Sequence, residues 1–140
     1  MTETVQFDEA HAVALETDDD VLDRVRDLVR NAIRHQVWLM FLDRERRQLP
    51  VLMPTDIPPM PGDDDAERIG DFIRGVASDE DAAHVILVLE RVGPPELSEP
   101  DREWLRMLAG AGERCGLPVL GPYLCHRRGV RAVEAEEYLV

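Results

Sequence analysis

The chain has 140 residues, 44% of them apolar, and carries 16 basic residues, all arginine, against 29 acidic ones, for a formal net charge of −13. That size suits one domain with a single core, and the apolar share excludes a disordered chain. The charge argues against a duplex-DNA or RNA surface, where basic side chains must dominate a face to neutralise phosphates.

Residues 1–17 are polar apart from a short apolar patch at 12–15, and form an N-terminal extension to a domain spanning 18–140. The acidic run Asp18-Asp19-Asp20 supplies N-cap chemistry and favourable charge for a helix start. Val21, Leu22, Val25, Leu28, Val29, Ala32 and Ile33 follow at helical spacing, which predicts an amphipathic helix ending near Arg34. The run VWLMFL at 37–42 predicts a strand covered on both faces. A polar turn at 43–47 leads to an antiparallel return over 48–53, where Pro50 argues for an edge position. Residues 54–62 hold four prolines and predict a surface loop.

Asp63-Asp64-Asp65 is expected to cap a second helix whose apolar stripe is Ala66, Ile69, Phe72, Ile73 and Val76, broken at 78–81. Val85–Leu89 is all apolar and predicts a central strand. Ser98 opens a third helix with Trp104, Leu105, Leu108 and Cys115 on one face, closed by Gly116 and Pro118. Strands over 119–125 and 130–133 complete the chain, joined by a turn at 126–129. Cys115 and Cys125 lack metal-ligand spacing and are expected as buried free thiols. The predicted fold class is α/β, a three-layer α/β/α sandwich around a mixed sheet, with the first two strands antiparallel and the later helices as crossovers.

The segment VILVLERVGPPELSEPD (85–101) sets a buried strand, a Gly-Pro-Pro loop and Ser98-x-x-Asp101 ahead of a helix. With WLMFLDRERRQL (38–49) and LSEPDREWLRMLAGAGERCGLPVLGPYL (97–124), it resembles the JAMM/MPN superfamily, of cytidine-deaminase-like architecture, and within it the RadC branch. The resemblance covers roughly residues 20–133. It implies a site in which two histidines and an aspartate hold zinc, while a serine and an upstream glutamate support a bound water. Zinc held this way keeps an open position and lowers the pKa of its water toward neutrality. Carried onto this chain, Ser98 and Asp101 match, whereas Val88 and Glu90 stand where the histidines belong. The upstream glutamate maps near His35, with Gln36 the neighbouring choice. The resemblance therefore implies a degenerate member, with His35, Val88, Glu90, Ser98 and Asp101 as vestigial positions and no resident cofactor.

Ser98-x-x-Asp101 also has a reading without catalysis, as a variant of the capping box, in which the serine oxygen accepts from the N3 amide. His35, Glu90 and Asp101 form an alternative metal-ligand set, and Ser98, His35 and Asp101 an alternative triad that lacks a nucleophile elbow. His84 and His126 flank strands and read as ordinary polar residues. Arg127, Arg128 and Arg131 make a small basic cluster beside Glu134, Glu136 and Glu137, either a solvated turn or a site for a phosphate or an acidic partner.

Three function readings follow. The leading one is an inactive, RadC-like domain that binds a protein partner or dimerises. The others are a metal-dependent hydrolase with altered ligands, and a small-ligand pocket at the vacated site. A membrane partner is not expected, since no apolar run reaches about 18 residues. The first residues lack the basic-then-apolar order of a signal peptide, so a cytoplasmic location is expected.

Overall fold

A computed structural model describes residues 13–139. Five strands form one mixed sheet, with helices on both faces. The elements are α1 (Asp18–Val29), β1 (Gln36–Leu42), β2 (Gln48–Asp56), α2 (Asp65–Glu80), β3 (His84–Glu90), α3 (Glu99–Arg114), β4 (Val119–His126), β5 (Gly129–Ala132) and α4 (Ala135–Leu139). The strand order is β2-β1-β3-β4-β5. Only β3 and β4 run parallel, joined through α3 as crossover; the other neighbours are antiparallel.

The sheet divides the apolar interior in two, where a single core was predicted. Successive side chains of a strand point to opposite faces. Val37, Leu39, Phe41, Val85, Leu87 and Leu89 therefore pack with Ile69 and Ile73 of α2 and Trp104, Leu105 and Leu108 of α3. Met40, Leu42, Ile86 and Val88 pack on the other face with Val21, Val25 and Val29 of α1. This alternation makes the architecture an α/β/α sandwich. Leu15, from the segment before α1, is buried in the second layer, and its N–H donates to Arg46 O (2.8 Å).

Capping boxes start α1 and α3, whereas Asp64, the N-cap of α2, makes no side-chain capping bond and Asp65 Oδ2 instead accepts from Gly62 N (2.6 Å). Thr17 caps α1 in a complete capping box, its side chain accepting from Asp20 N while the Asp20 carboxylate accepts from Thr17 N (3.0 and 3.2 Å). Gly112 lets α3 lie close to β4, since a Cβ there would sit 2.0 Å from Val119 Cγ2.

Four predicted details change. The first helix ends at Val29 rather than near Arg34, because Arg30 leaves helical geometry at φ 66° and ψ −106°; Ala32 still packs on the same layer while Ile33 is exposed. The second helix runs through Ser78 and Asp79 to Glu80 and stops at Asp81, which is left-handed. Ser78 and Asp79 sit on its exposed side, where polar residues break nothing. Strand β2 continues to Asp56 and shortens the proline-rich loop; as the sheet edge, it accommodates both Pro50 and Pro54. Cys115 is half-buried rather than buried, while Cys125 is buried, and both are free thiols. Helix α4 went unpredicted.

Candidate functional site

The five positions that the resemblance singles out lie around the end of β3, divided between its two faces. Val88 is fully buried in the layer under α1. Glu90 follows on the same face and is 1% exposed. Its Oε2 accepts from the Ile33 and Arg34 amides (2.7 and 3.1 Å), and its Oε1 accepts from Gln36 Nε2 and Trp38 Nε1 (2.7 and 2.8 Å). The register places Gln36 directly across from Glu90, so of the two upstream choices it is Gln36 that meets this carboxylate. His35 turns elsewhere, its Nδ1 lying 3.1 Å from Ile57 O.

Burial alone would raise the pKa of Glu90. The four donors outweigh it and hold the carboxyl below its ordinary value. Glu90 is thus a buried anion stabilised by neutral donors. It fastens the α1–β1 connection to the sheet.

Asp101 belongs to a second device, at the start of α3. Ser98 caps this helix: its Oγ accepts from Asp101 N (3.4 Å), and Asp101 Oδ2 accepts from Ser98 N (2.9 Å), which completes a capping box. The same Oδ2 receives Arg91 Nε and Nη2 (3.0 and 2.8 Å). The guanidinium also donates to Pro94 O and to Glu96 O (2.8 Å for Glu96), gathering the Gly-Pro-Pro loop around itself. Both side chains are nearly enclosed, 11% exposed for Arg91 and 5% for Asp101. Burial pushes the Asp101 carboxyl up, but the Arg91 hydrogen bonds, the Ser98 amide and the Arg91 charge hold it below the usual range.

The alternative ligand set of His35, Glu90 and Asp101 does not assemble. Among the described residues no group of three or more His, Cys, Asp or Glu side chains is placed to hold a metal ion. The reason is local: each carboxylate already meets several donors, and the two devices face opposite helix layers. The alternative triad is likewise unmade, since the Asp101 carboxylate is engaged by Arg91 and the His35 ring by Ile57 O. His84 begins β3, at the opposite end of the strand from Glu90.

A cavity of about 370 Å³ lies beside the Gly-Pro-Pro loop, lined by Pro95, Glu96, Leu97, Arg102, Arg131 and Glu137, and by none of the five positions. Sequence reasoning does not single out Arg91 as the residue that engages Asp101. Its position ten residues before Asp101, at a strand end facing a helix start, was the available signal. No helix among the described residues is long and apolar enough to cross a membrane. Compared with known proteins, the chain matches no family model and no curated protein.

Proposed function

We propose that this chain is a non-catalytic domain of RadC/JAMM type that acts by binding a protein partner or a second copy of itself. One observation carries the reading: the residues at the family's ligand positions are all used to hold the fold. Val88 fills a core layer, Glu90 is saturated by four donors, and Asp101 is ion-paired to Arg91. A catalytic zinc needs about three protein ligands and an open position for water. The Arg91 guanidinium sits where a cation would otherwise offset the Asp101 charge.

The binding half of the reading draws on the exposed edge of the sheet. Leu52 and Met53 on β2 and Met60 just beyond it are exposed apolar side chains, and an edge strand offers unpaired backbone groups to a partner. Pro50 and Pro54 remove two donors from that edge, which favours side-chain contact over strand addition.

Two measurements test the proposal. Metal analysis of protein purified without chelator is expected to find no stoichiometric metal. Zinc or manganese at one per chain, lost in Asp101→Ala or Glu90→Ala, would replace this reading with the hydrolase. Light scattering across a concentration series tests self-association: a concentration-dependent dimer weakened by Met53→Glu supports a second copy, and a strict monomer leaves only a separate partner.

A further inference from the structure

The basic cluster of the β4–β5 turn divides in the folded chain. Arg131 turns to Glu137, with its Nη2 and Nη1 donating to the two carboxylate oxygens (2.9 and 3.1 Å), and its Nε donates to Pro95 O. Arg128 instead lines a pocket of about 390 Å³ with Arg26, Arg30 and Asn31 from the end of α1, and with His126, Gly129 and Val130. In a chain with 29 acidic residues, no Asp or Glu lines this pocket, while three arginines and a histidine do.

Two of the cations are uncompensated. Among the described residues neither Arg30 nor Arg128 has an ion-pair partner, and the carboxylate nearest Arg26, Asp23, stands 4.0 Å away with both side chains solvated. The Arg26 and Arg30 Nε–H groups are spent on Val130 O and Asp27 O (3.2 and 3.4 Å), which steadies both guanidinium groups. His126 Nδ1 accepts from Arg128 N (3.3 Å), which leaves the ring's Nε2–H as its donor. Arg30 occupies a backbone conformation, φ 66°, that glycine adopts freely and arginine does not. Its carbonyl, which accepts from Cys125 Sγ (3.6 Å), ties that conformation to β4.

Two effects oppose an anion here. The carbonyl end of α1 contributes roughly half a negative charge, which three formal positive charges exceed. The acidic residues are the second: Asp23 stands near Arg26 and Glu96 acts on His126, while those farther off are screened beyond about 8 Å at physiological salt. The side chains that line the pocket carry only positive formal charge.

We propose that this pocket binds the terminal phosphate of a small phosphorylated molecule. Arginine forks match phosphate oxygens in paired hydrogen bonds, and a doubly charged phosphate gains more from clustered guanidinium groups than a carboxylate does. The volume leaves room for part of the organic body beyond the phosphate. The site is separate from the Glu90 and Asp101 devices and stands whether or not the domain also binds a protein.

The test is an NMR titration of the whole chain with inorganic phosphate, phenyl phosphate and acetate at constant ionic strength. Phosphate is expected to give saturable shifts of the His126 ring and of the amides of residues 30, 31 and 126–129, with phenyl phosphate tighter and acetate about tenfold or more weaker. Arg128→Gln, on an exposed turn, and Arg30→Gln should each weaken phosphate by about tenfold, which is about 1.4 kcal/mol. Arg44→Gln, outside the pocket and near Asp81, should leave it unchanged. Bound phosphate should also raise the His126 pKa, which burial and the Arg91, Arg131 and Arg128 charges, opposed by Glu96, hold low in the free protein. No saturation up to about 10 mM phosphate, acetate binding as tightly, or equal weakening by Arg44→Gln would each overturn the site. Arg128→Gln decides the matter alone if Arg30→Gln does not fold.

Discussion

Replacing Glu90 by glutamine keeps the side chain's shape and removes only its charge and one acceptor. Glutamine satisfies these partners best with its oxygen toward the Ile33 and Arg34 amides and its NH₂ toward Gln36, whose own amide then flips to accept. Trp38 Nε1 is left without its acceptor, now facing an NH₂ group. A hydrogen bond to a charged group contributes about 1.5–3 kcal/mol and a neutral one about 0.5–1.5. The variant loses the Trp38 bond and weakens three others, offset in part by no longer burying a charge. The expected cost is about 2–3 kcal/mol, read as a lower urea midpoint at unchanged slope. Acid supplies an independent check. Because the folded pKa of Glu90 is depressed, its stabilisation is fully present above the ordinary glutamate value of about 4.3 and is lost as pH falls through that value toward the folded one. Glu90→Gln should therefore lose less stability than wild type between about pH 5 and pH 3, with Asp101 still titrating in the same direction. A variant within about 0.5 kcal/mol of wild type at pH 7 would refute the view of Glu90 as a saturated structural anion.

Trp104→Ala should cost about 3–5 kcal/mol, since the ring is fully buried between α3 and the sheet and its Nε1–H reaches Pro58 O and Pro59 O (both 3.1 Å); an unchanged melting temperature would refute this placement. Arg91→Ala should cost about 3–5 kcal/mol by leaving Asp101 buried and unpaired, and the double variant with Asp101→Leu should be less unstable than the sum of the singles. Additivity in that cycle, measured by urea unfolding, would sink the pairing. Ser98→Ala should cost about 0.5–1 kcal/mol, because its Oγ bond is long and the reciprocal Asp101 bond to Ser98 N remains. A larger loss in thermal unfolding would assign Ser98 more than a cap.

Much of the fold was legible because apolar pattern and strand burial go together. VWLMFL and VILVL read as covered strands and became β1 and β3, two adjacent inner strands of the sheet. Pro50 marked β2 as an edge for a physical reason, since proline cannot donate to a ladder. Ser98-x-x-Asp101 announced its helix start through capping chemistry alone. What failed was local geometry that composition does not encode. The apolar period through Ala32 and Ile33 continued the first helix on paper, but the chain turns at Arg30, where no glycine signalled a positive φ. The short helix α4 buries only Tyr138, too little pattern to register in a sequence window. The candidate site was legible as a set of positions and not as a set of partners. Arg91 and Asp101, like Arg30 and Arg128, are ordinary charged residues until the fold sets them together or leaves them apart.

The two carboxylates at the end of β3 solve the same physical problem by different means. A buried carboxylate is costly unless donors or a cation compensate it. Glu90 has only neutral donors, two of them main-chain amides, so its stability depends on the α1–β1 connection keeping one path past the sheet. Asp101 has a guanidinium whose remaining donors reach two loop carbonyls, so its neutralisation and the loop's shape are a single arrangement. A metal placed at Asp101 would have to displace Arg91 and release the Gly-Pro-Pro loop with it. On the proposed reading, the loss of metal ligands and the ordering of this loop are therefore coupled. On that reading, histidines placed at positions 88 and 90 would not make a metal site while Arg91 holds the aspartate, and they would also remove the anion that anchors the start of β1.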